Sequence, residues 1–158
     1  MTKIRNSLIL LDLWEHCNSN IEEQAKVKIC NFLSKIKTLN YWRIFYYNTD
    51  KQTDKKILPH LEECNALLTN DPFLIYENLI ENKEWFYFAG FHTNMCLLYN
   101  HIGIEALHKI GDSRFHTSYN VIEDCTVALD EQHNPISPRL VSDERIKNHL
   151  IHSELIIV

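Results

Sequence analysis

The sequence predicts an α/β fold: a three-layer, doubly wound sheet of six parallel strands with the Rossmann-like order 3-2-1-4-5-6. Apolar, β-branched and aromatic runs alternate along the chain with stretches whose apolar residues recur at helical spacing. Such alternation favours parallel βαβ units with right-handed crossovers. Because neither an internal repeat nor a linker interrupts the pattern, we expect residues 1–158 to form a single domain.

Each element follows from a local pattern. The apolar or aromatic runs predict strands over residues 7–13, 42–47, 66–69, 85–89, 119–123 and 154–158. Helical spacing predicts helices over residues 21–36, 72–81 and 95–110, and a last helix capped by Ser142. Ser19 with Glu22, or Asn20 with Glu23, offers a capping box for the first helix. The polar stretch 130–139 predicts a surface loop.

Composition argues against two classes of partner. The net charge is -5 and the basic residues are scattered, whereas nucleic-acid binding needs a basic surface. No apolar run approaches the ~20 residues of a membrane helix. The run 8–11 follows Lys3 and Arg5 as in a signal peptide, but Asp12 interrupts it and indicates a buried strand. We therefore expect neither a nucleic-acid nor a membrane partner.

The cysteines indicate a reducing compartment. There are five, an odd number, with no Cys-x-x-Cys pair and no spacing typical of a disulfide framework. Reduced thiols fit this pattern best, so we expect a cytoplasmic protein.

The segment from Gly90 to Cys96 (GFHTNMC) is the most specific feature of the chain. It places a cysteine in the first turn of a helix after a buried strand, where backbone N–H groups and the helix dipole stabilise a thiolate. The same N–H groups can bind an oxyanion. Asp12 ends the first strand, and the expected strand order places strands one and four side by side. We therefore expect Asp12 and Cys96 to share one pocket, where the carboxylate takes the thiol proton.

These residues resemble the isochorismatase-like hydrolases, a family of nicotinamidases, carbamoylases and other amidases. Its recurrent marks are an acid ending strand one and a G-x-x-T-x-x-C turn after strand four. In this chain they correspond to Asp12 and to Gly90, Thr93 and Cys96. The resemblance covers nearly the whole chain in the order of its elements, and the cysteine turn is its specific part.

The resemblance implies roles for individual residues. Cys96 would be the nucleophile that forms a thioester intermediate, and Asp12 would be its general base. The backbone N–H groups of His92 and Cys96 would form the oxyanion hole, arranged by a cis peptide between Phe91 and His92. The family also implies a small-molecule substrate and a homo-oligomer.

The chain departs from the family at two positions. The third catalytic residue of the family is a lysine after strand three, and this chain has no lysine in residues 67–70; the gap falls at Asn70, give or take one residue. Trp14 stands where many members have glutamine, which makes the pocket more apolar. Either His92 or His16 can supply the missing positive charge. The alternative is that both are ordinary polar residues at the rim of the pocket.

The stretch after strand two is the weaker candidate for a metal site. Asn48, Asp50 and His60 lie there, but one histidine and one acid are too few for a zinc or iron site. We favour a solvated loop and expect no metal and no other cofactor.

The sequence leaves three functions open. The first is a cysteine hydrolase acting on the C–N bond of a small amide or imide through Cys96 and Asp12. The second is a catalytically degenerate relative that binds a small ligand or a protein partner, a reading motivated by the missing lysine. The third is another flavodoxin-like domain whose cysteine turn matches by chance, which would leave Asp12 and Cys96 far apart.

Overall fold

Strands and helices alternate along the chain. A computed structural model describes residues 6–15, 19–49, 51–76, 85–111 and 119–157. Its strands are β1 (Asn6–Leu11), β2 (Trp42–Tyr47), β3 (Leu67–Leu68), β4 (Trp85–Phe91), β5 (Tyr119–Leu129), β6 (Pro135–Ile136) and β7 (Leu150–Ile151). Its helices are α1 (Asn20–Ile36), α2 (Leu58–Glu63), α3 (Cys96–Tyr99), α4 (Ile104–Ile110) and α5 (Glu144–Lys147). Residues 72–76 are also helical, and the rest of the helix predicted over 72–81 lies outside the described residues.

The strands form one mostly parallel sheet. Their order is β3-β2-β1-β4-β5-β6, and β7 also pairs with β5. The β5–β6 pair is antiparallel and the other pairs are parallel. The predicted α/β class and the order 3-2-1-4-5-6 are therefore confirmed. The prediction of six parallel strands is wrong, because the described residues form seven strands and one of them is antiparallel.

The extra strand arises where β5 continues beyond the predicted end at residue 123. β5 runs to Leu129, and the chain then turns back into β6 inside the stretch predicted as a loop. Asp130 makes this turn possible because its Oδ1 accepts the N–H groups of Gln132 and Asn134, at 2.9 and 2.8 Å. The backbone N–H of Asp130 also donates to the oxygen of Asn134 at 2.9 Å, so side-chain and backbone bonds together close the hairpin.

The last predicted strand is displaced along the sequence. β7 takes the parallel position beside β5, and residues 153–155 of the predicted strand 154–158 form a 3₁₀ turn instead. Asp124 Oδ1 accepts the N–H of Ser153 at 2.9 Å, which favours the turn over a continued strand.

The helix predicted over 95–110 is broken into α3 and α4. Asn100 ends α3 with an extended backbone, and its side-chain Oδ1 accepts the N–H of Ile102 at 3.2 Å. Gly103 then packs so close to the backbone that a Cβ would lie 2.8 Å from the oxygen of Leu97. A polar residue that bonds its own backbone therefore interrupts an apolar pattern that is helical on both sides.

Apolar side chains of β1 point alternately into two cores. Leu8 and Leu10 pack in a cluster that contains the buried face of α1. Ile9 and Leu11 pack in a second cluster with residues of α3 and α4. Helices therefore contact both faces of the central strand. Within the described residues, no helix combines the length and the apolar character needed to span a membrane.

Candidate active site

Asp12 and Cys96 come together where β1 and β4 end. The two strands pair in parallel, and the last pair in their register is Leu11 with Gly90. Asp12 follows directly, is fully buried and has a left-handed φ of 52°. Cys96 begins α3, and its thiol lies against the Asp12 carboxyl group, so that each group shifts the pKa of the other. The structure thus brings together these two residues of the predicted site.

Gly90 permits the close approach of the two strand ends. Its φ of 108° lies in the region that side-chain-bearing residues rarely adopt. A Cβ at this position would lie 2.0 Å from the backbone oxygen of Leu11. The segment that carries Asp12 can therefore lie beside β4 only because residue 90 has no side chain.

We expect Gly90→Ala to lower the free energy of unfolding by about 3 kcal/mol or more, because backbone strain and a steric clash add. Chemical denaturation of the purified variant measures the loss. Gly111→Ala is the comparison that lacks backbone strain: its φ is -80°, so only the contact of its Cβ with the Tyr76 side chain, at 2.7 Å, would cost stability, and a smaller loss is expected. A Gly90→Ala variant as stable as the wild type would contradict this account of the strand contact.

Hydrogen bonds connect the turn between β4 and α3 to β5. Thr126 Oγ1 donates to the backbone oxygen of Gly90 at 2.6 Å and lies 2.8 Å from Thr93 Oγ1. Asn94 exchanges two hydrogen bonds with the backbone of Leu129, at 2.7 and 3.0 Å. The sequence analysis did not single out Thr126 or Asn94. For Thr126, the available signal was a hydroxyl within an apolar run, which needs a partner when buried.

We expect Thr126→Val to lower the free energy of unfolding by about 1 to 3 kcal/mol, because two buried polar groups lose their partner. Urea denaturation measures this change. Thr38→Val is the control, since Thr38 is exposed and donates only to the backbone oxygen of Lys35 at 3.2 Å. Equal losses in the two variants would show that the buried hydroxyl network is not a special support of the turn.

Three polar residues position Asp12: Thr49 and Asn100, which the sequence analysis missed, and Asn48, which it considered only for a metal site. The N–H of Thr49 donates to Asp12 Oδ1 at 2.5 Å. Asn100 Nδ2 donates to Thr49 Oγ1 at 3.1 Å, and Asn48 Oδ1 accepts the N–H of Leu13 at 3.0 Å. Asp12 Oδ2 is buried and has no hydrogen-bond partner within the described part of the chain. One carboxylate oxygen is thus fixed, and the other remains available for chemistry.

The site raises the pKa values of both its acid and its thiol. Burial raises the pKa of Asp12 above its ordinary value. Hydrogen bonds with Cys96, Thr49 and Asn100 oppose this effect, because they favour the ionised carboxylate. Burial, followed by the neighbouring Asp12 carboxyl group, raises the pKa of the Cys96 thiol to about 12, opposed by the backbone N–H of His92. The expectation that a helix start stabilises a thiolate is therefore wrong for the resting protein. The α3 helix is only four residues long, and the closest ionisable partner is an acid.

His92 has a buried acid beside it. Its Nε2 lies 3.6 Å from Glu22 Oε1, and the two side chains are 15% and 9% exposed. The Trp14 ring contacts the His92 ring edge-on, with centroids 6.5 Å apart. Burial lowers the pKa of His92, whereas the carboxylates of Glu22 and Asp12 oppose this effect. The peptide bond between Phe91 and His92 is cis.

The resemblance implies a lysine near Asn70, and the described residues show no lysine or arginine acting on Asp12 or Cys96. Asn70 is exposed in the segment after β3. Lys26 is buried, but its Nζ pairs with Asp54 Oδ2 at 2.9 Å. His16, the other residue considered as a source of charge, lies outside the described part.

The residues considered for a metal site have other partners. Asn48 bonds the backbone of Leu13, and His60 Nδ1 lies 3.3 Å from Ser34 Oγ. Asp50 lies outside the described residues. The described segments contain no group of three or more His, Cys, Asp or Glu side chains arranged to bind a metal.

Comparisons with family models, curated proteins and solved structures found no match to this chain. The family resemblance therefore rests on the residues of the cysteine turn and on the acid that ends β1.

Proposed function

We propose that this chain is an isochorismatase-like cysteine hydrolase that cleaves the C–N bond of a small amide or imide. Cys96 is the nucleophile and Asp12 the general base. The contact between the half-buried Cys96 thiol and the fully buried Asp12 carboxyl group carries this proposal. A nucleophile within reach of a base that a third group orients is the arrangement that covalent catalysis requires, and here Thr49 orients the base.

In the proposed acylation, the Cys96 sulfur bonds to the substrate carbonyl carbon while the thiol proton passes to Asp12. The C–N bond then breaks, and Asp12 gives the proton to the leaving nitrogen. Water subsequently adds to the thioester, the C–S bond breaks, and the products are a carboxylic acid and the restored thiol. Because a proton merely moves from sulfur to carboxylate, the site gains no net charge. A thiol with a raised pKa can therefore react without a neighbouring lysine.

The negative charge that develops on the carbonyl oxygen needs hydrogen-bond donors. We assign this role to the backbone N–H groups of His92 and Cys96. The interaction of the His92 N–H with the Cys96 sulfur supports the assignment, because it places a donor beside the reacting atom. The hydrogen bonds from Thr126 to the oxygen of Gly90 and from Asn94 in the turn to the oxygen of Leu129 support a fixed position for these donors.

The proposal extends to features that the family shares. The two apolar cores on opposite sides of β1 support a three-layer, doubly wound arrangement. We further propose a single cytoplasmic domain that acts on a small molecule as a homo-oligomer and requires no cofactor. Nucleic acids and membranes are not among its proposed partners.

A panel of small amides, imides and carbamoyl compounds tests the proposal. Purified wild-type protein should release amine or ammonia from at least one of them, and Cys96→Ala should abolish the release. Cys64→Ala is the matched control, because this half-buried thiol donates to the backbone oxygen of Leu33, outside the site. Release that survives in Cys96→Ala would exclude a nucleophilic role for this cysteine.

One observation favours a second function, a non-catalytic site that binds a small ligand. The thiol pKa of about 12, with no described basic side chain contributing to its shift, leaves Cys96 almost wholly protonated at neutral pH. In that case the wild type would turn over no compound of the panel. A ligand that raises the melting temperature would do so equally in wild type and Cys96→Ala. Loss of ligand binding in Cys96→Ala would argue against this alternative.

A further inference from the structure

The contact between His92 and Glu22 has the form of an acid–base pair. A carboxylate facing one nitrogen of an imidazole fixes the orientation of the ring and stabilises its protonated form. Here Nε2 lies 3.6 Å from Glu22 Oε1, an ion-pair distance at which the carboxylate acts on the ring chiefly through its charge. The other nitrogen, Nδ1, remains to exchange a proton with a substrate or with water.

The pair lies at the nucleophile, on the side that solvent can reach. The backbone N–H of His92 interacts with the Cys96 sulfur, and the charge of Asp12 acts on the His92 ring. Asp12 is fully buried, whereas the His92 side chain is 15% exposed. Of these two side chains, the His92 ring is therefore the one with a surface that water can contact.

We propose that His92, oriented by Glu22, is the base for the hydrolysis of the thioester intermediate, so that the site contains two proton-transfer pairs. This inference rests on the proposed function and divides it between residues: Asp12 serves acylation and His92 serves deacylation. The division assigns a role to Glu22, a buried acid on α1 that the acylation chemistry does not use.

The proton balance of the step is simple. As the water oxygen bonds to the thioester carbon, one water proton moves to His92 Nδ1. The positive charge of the resulting imidazolium is balanced by the Glu22 carboxylate. The C–S bond then breaks, and the imidazolium returns that proton to the Cys96 sulfur. The products are the carboxylic acid and the neutral thiol, and no further reactant is needed.

His92 must be neutral to accept the proton, which gives the step a pH dependence. The charged side chains that act on its ring are Glu22 from α1 and Asp12 from the segment after β1, and the Cys96 thiol lies beside its backbone. Both carboxylates favour the imidazolium, so deacylation should fail as pH falls through the pKa of His92. Removing the charge of Glu22 should move this acidic limb to lower pH.

Acyl transfer from p-nitrophenyl acetate separates the two steps. In His92→Asn, the release of p-nitrophenol should show a burst equal to the enzyme concentration, followed by turnover about 10²-fold slower than in the wild type. Mass spectrometry should find the acetyl group on Cys96. His152→Asn is the matched control, because His152 Nε2 also lies 3.6 Å from a carboxylate, Asp124, away from the site. Unchanged turnover in His92→Asn would overturn the inference.

Glu22→Gln provides a second test that does not alter the imidazole. The acidic limb of deacylation should shift to lower pH by about one unit, while Glu23→Gln, on the same turn of α1, should leave it in place. An acidic limb unchanged in Glu22→Gln would count against the inference. If Cys96 forms no acyl adduct in any variant, the proposed function itself fails; if it does and both His92 and Glu22 prove neutral, only the second pair fails.

Discussion

Asp12→Asn is expected to lower turnover by about 10²- to 10⁴-fold, the range that a positioned general base contributes. The asparagine oxygen can still accept the N–H of Thr49, which now lies 2.5 Å from Oδ1, so the fold should persist. The variant loses only the group that takes the thiol proton. Initial rates on the best substrate of the panel measure the effect, and circular dichroism verifies that the variant is folded.

Asp124→Asn is the matched control for Asp12→Asn. Asp124 Oδ1 accepts the N–H of Ser153 at 2.9 Å, so this carboxylate has the same kind of backbone partner. We expect its replacement to leave turnover within a few-fold of wild type. If Asp12→Asn remains folded and retains full turnover, Asp12 is not the base.

Cys96 is expected to react with iodoacetamide about 10³-fold more slowly at neutral pH than an ordinary thiol. A pKa of about 12 leaves that much less thiolate than the usual cysteine pKa would. Peptide mass spectrometry after timed labelling gives the rate as a function of pH. The same chain unfolded in urea is the control, since unfolding removes both burial and the Asp12 contact.

The two causes of the raised thiol pKa can be separated in Asp12→Asn. Burial remains in that variant while the contribution of the carboxyl group disappears, so the pKa of Cys96 should fall but stay above its ordinary value. Labelling of Cys96 should thus become faster while turnover is lost. Rapid labelling of Cys96 in the wild type at neutral pH would show that the resting site stabilises a thiolate after all.

The meeting of Asp12 and Cys96 was predictable because it depends on topology. The apolar run that Asp12 ends and the run before Gly90 are both recognisable as buried strands, and adjacent parallel strands end at the same edge. Gly90 and Thr93 were recognisable as well, since they form part of the turn. Their contacts with Leu11 and Thr126 depend on strand packing, which the sequence pattern does not specify.

The residues that position the site, such as Glu22 and Asn100, were not predictable. The sequence suggests a role for each within its own helix, but its side chain contacts a residue elsewhere in the chain. Glu22 fits a capping box with Ser19, and its N–H indeed bonds Ser19 Oγ at 3.2 Å, but its carboxylate turns to His92. Asn100 lies in an apparently continuous helix, yet it ends α3 and bonds Thr49. In both cases the side chain is oriented by a partner distant in sequence, His92 for Glu22 and Thr49 for Asn100.

A double-mutant cycle on Asp12 and Cys96 tests the central claim most directly. Residual turnover is measured for wild type, Asp12→Asn, Cys96→Ala and the double variant. If the two residues act as one unit, the double variant will be no slower than Cys96→Ala alone, since a base without its nucleophile has nothing to activate. Losses that multiply in the double variant would show that Asp12 and Cys96 act independently, and would contradict the account.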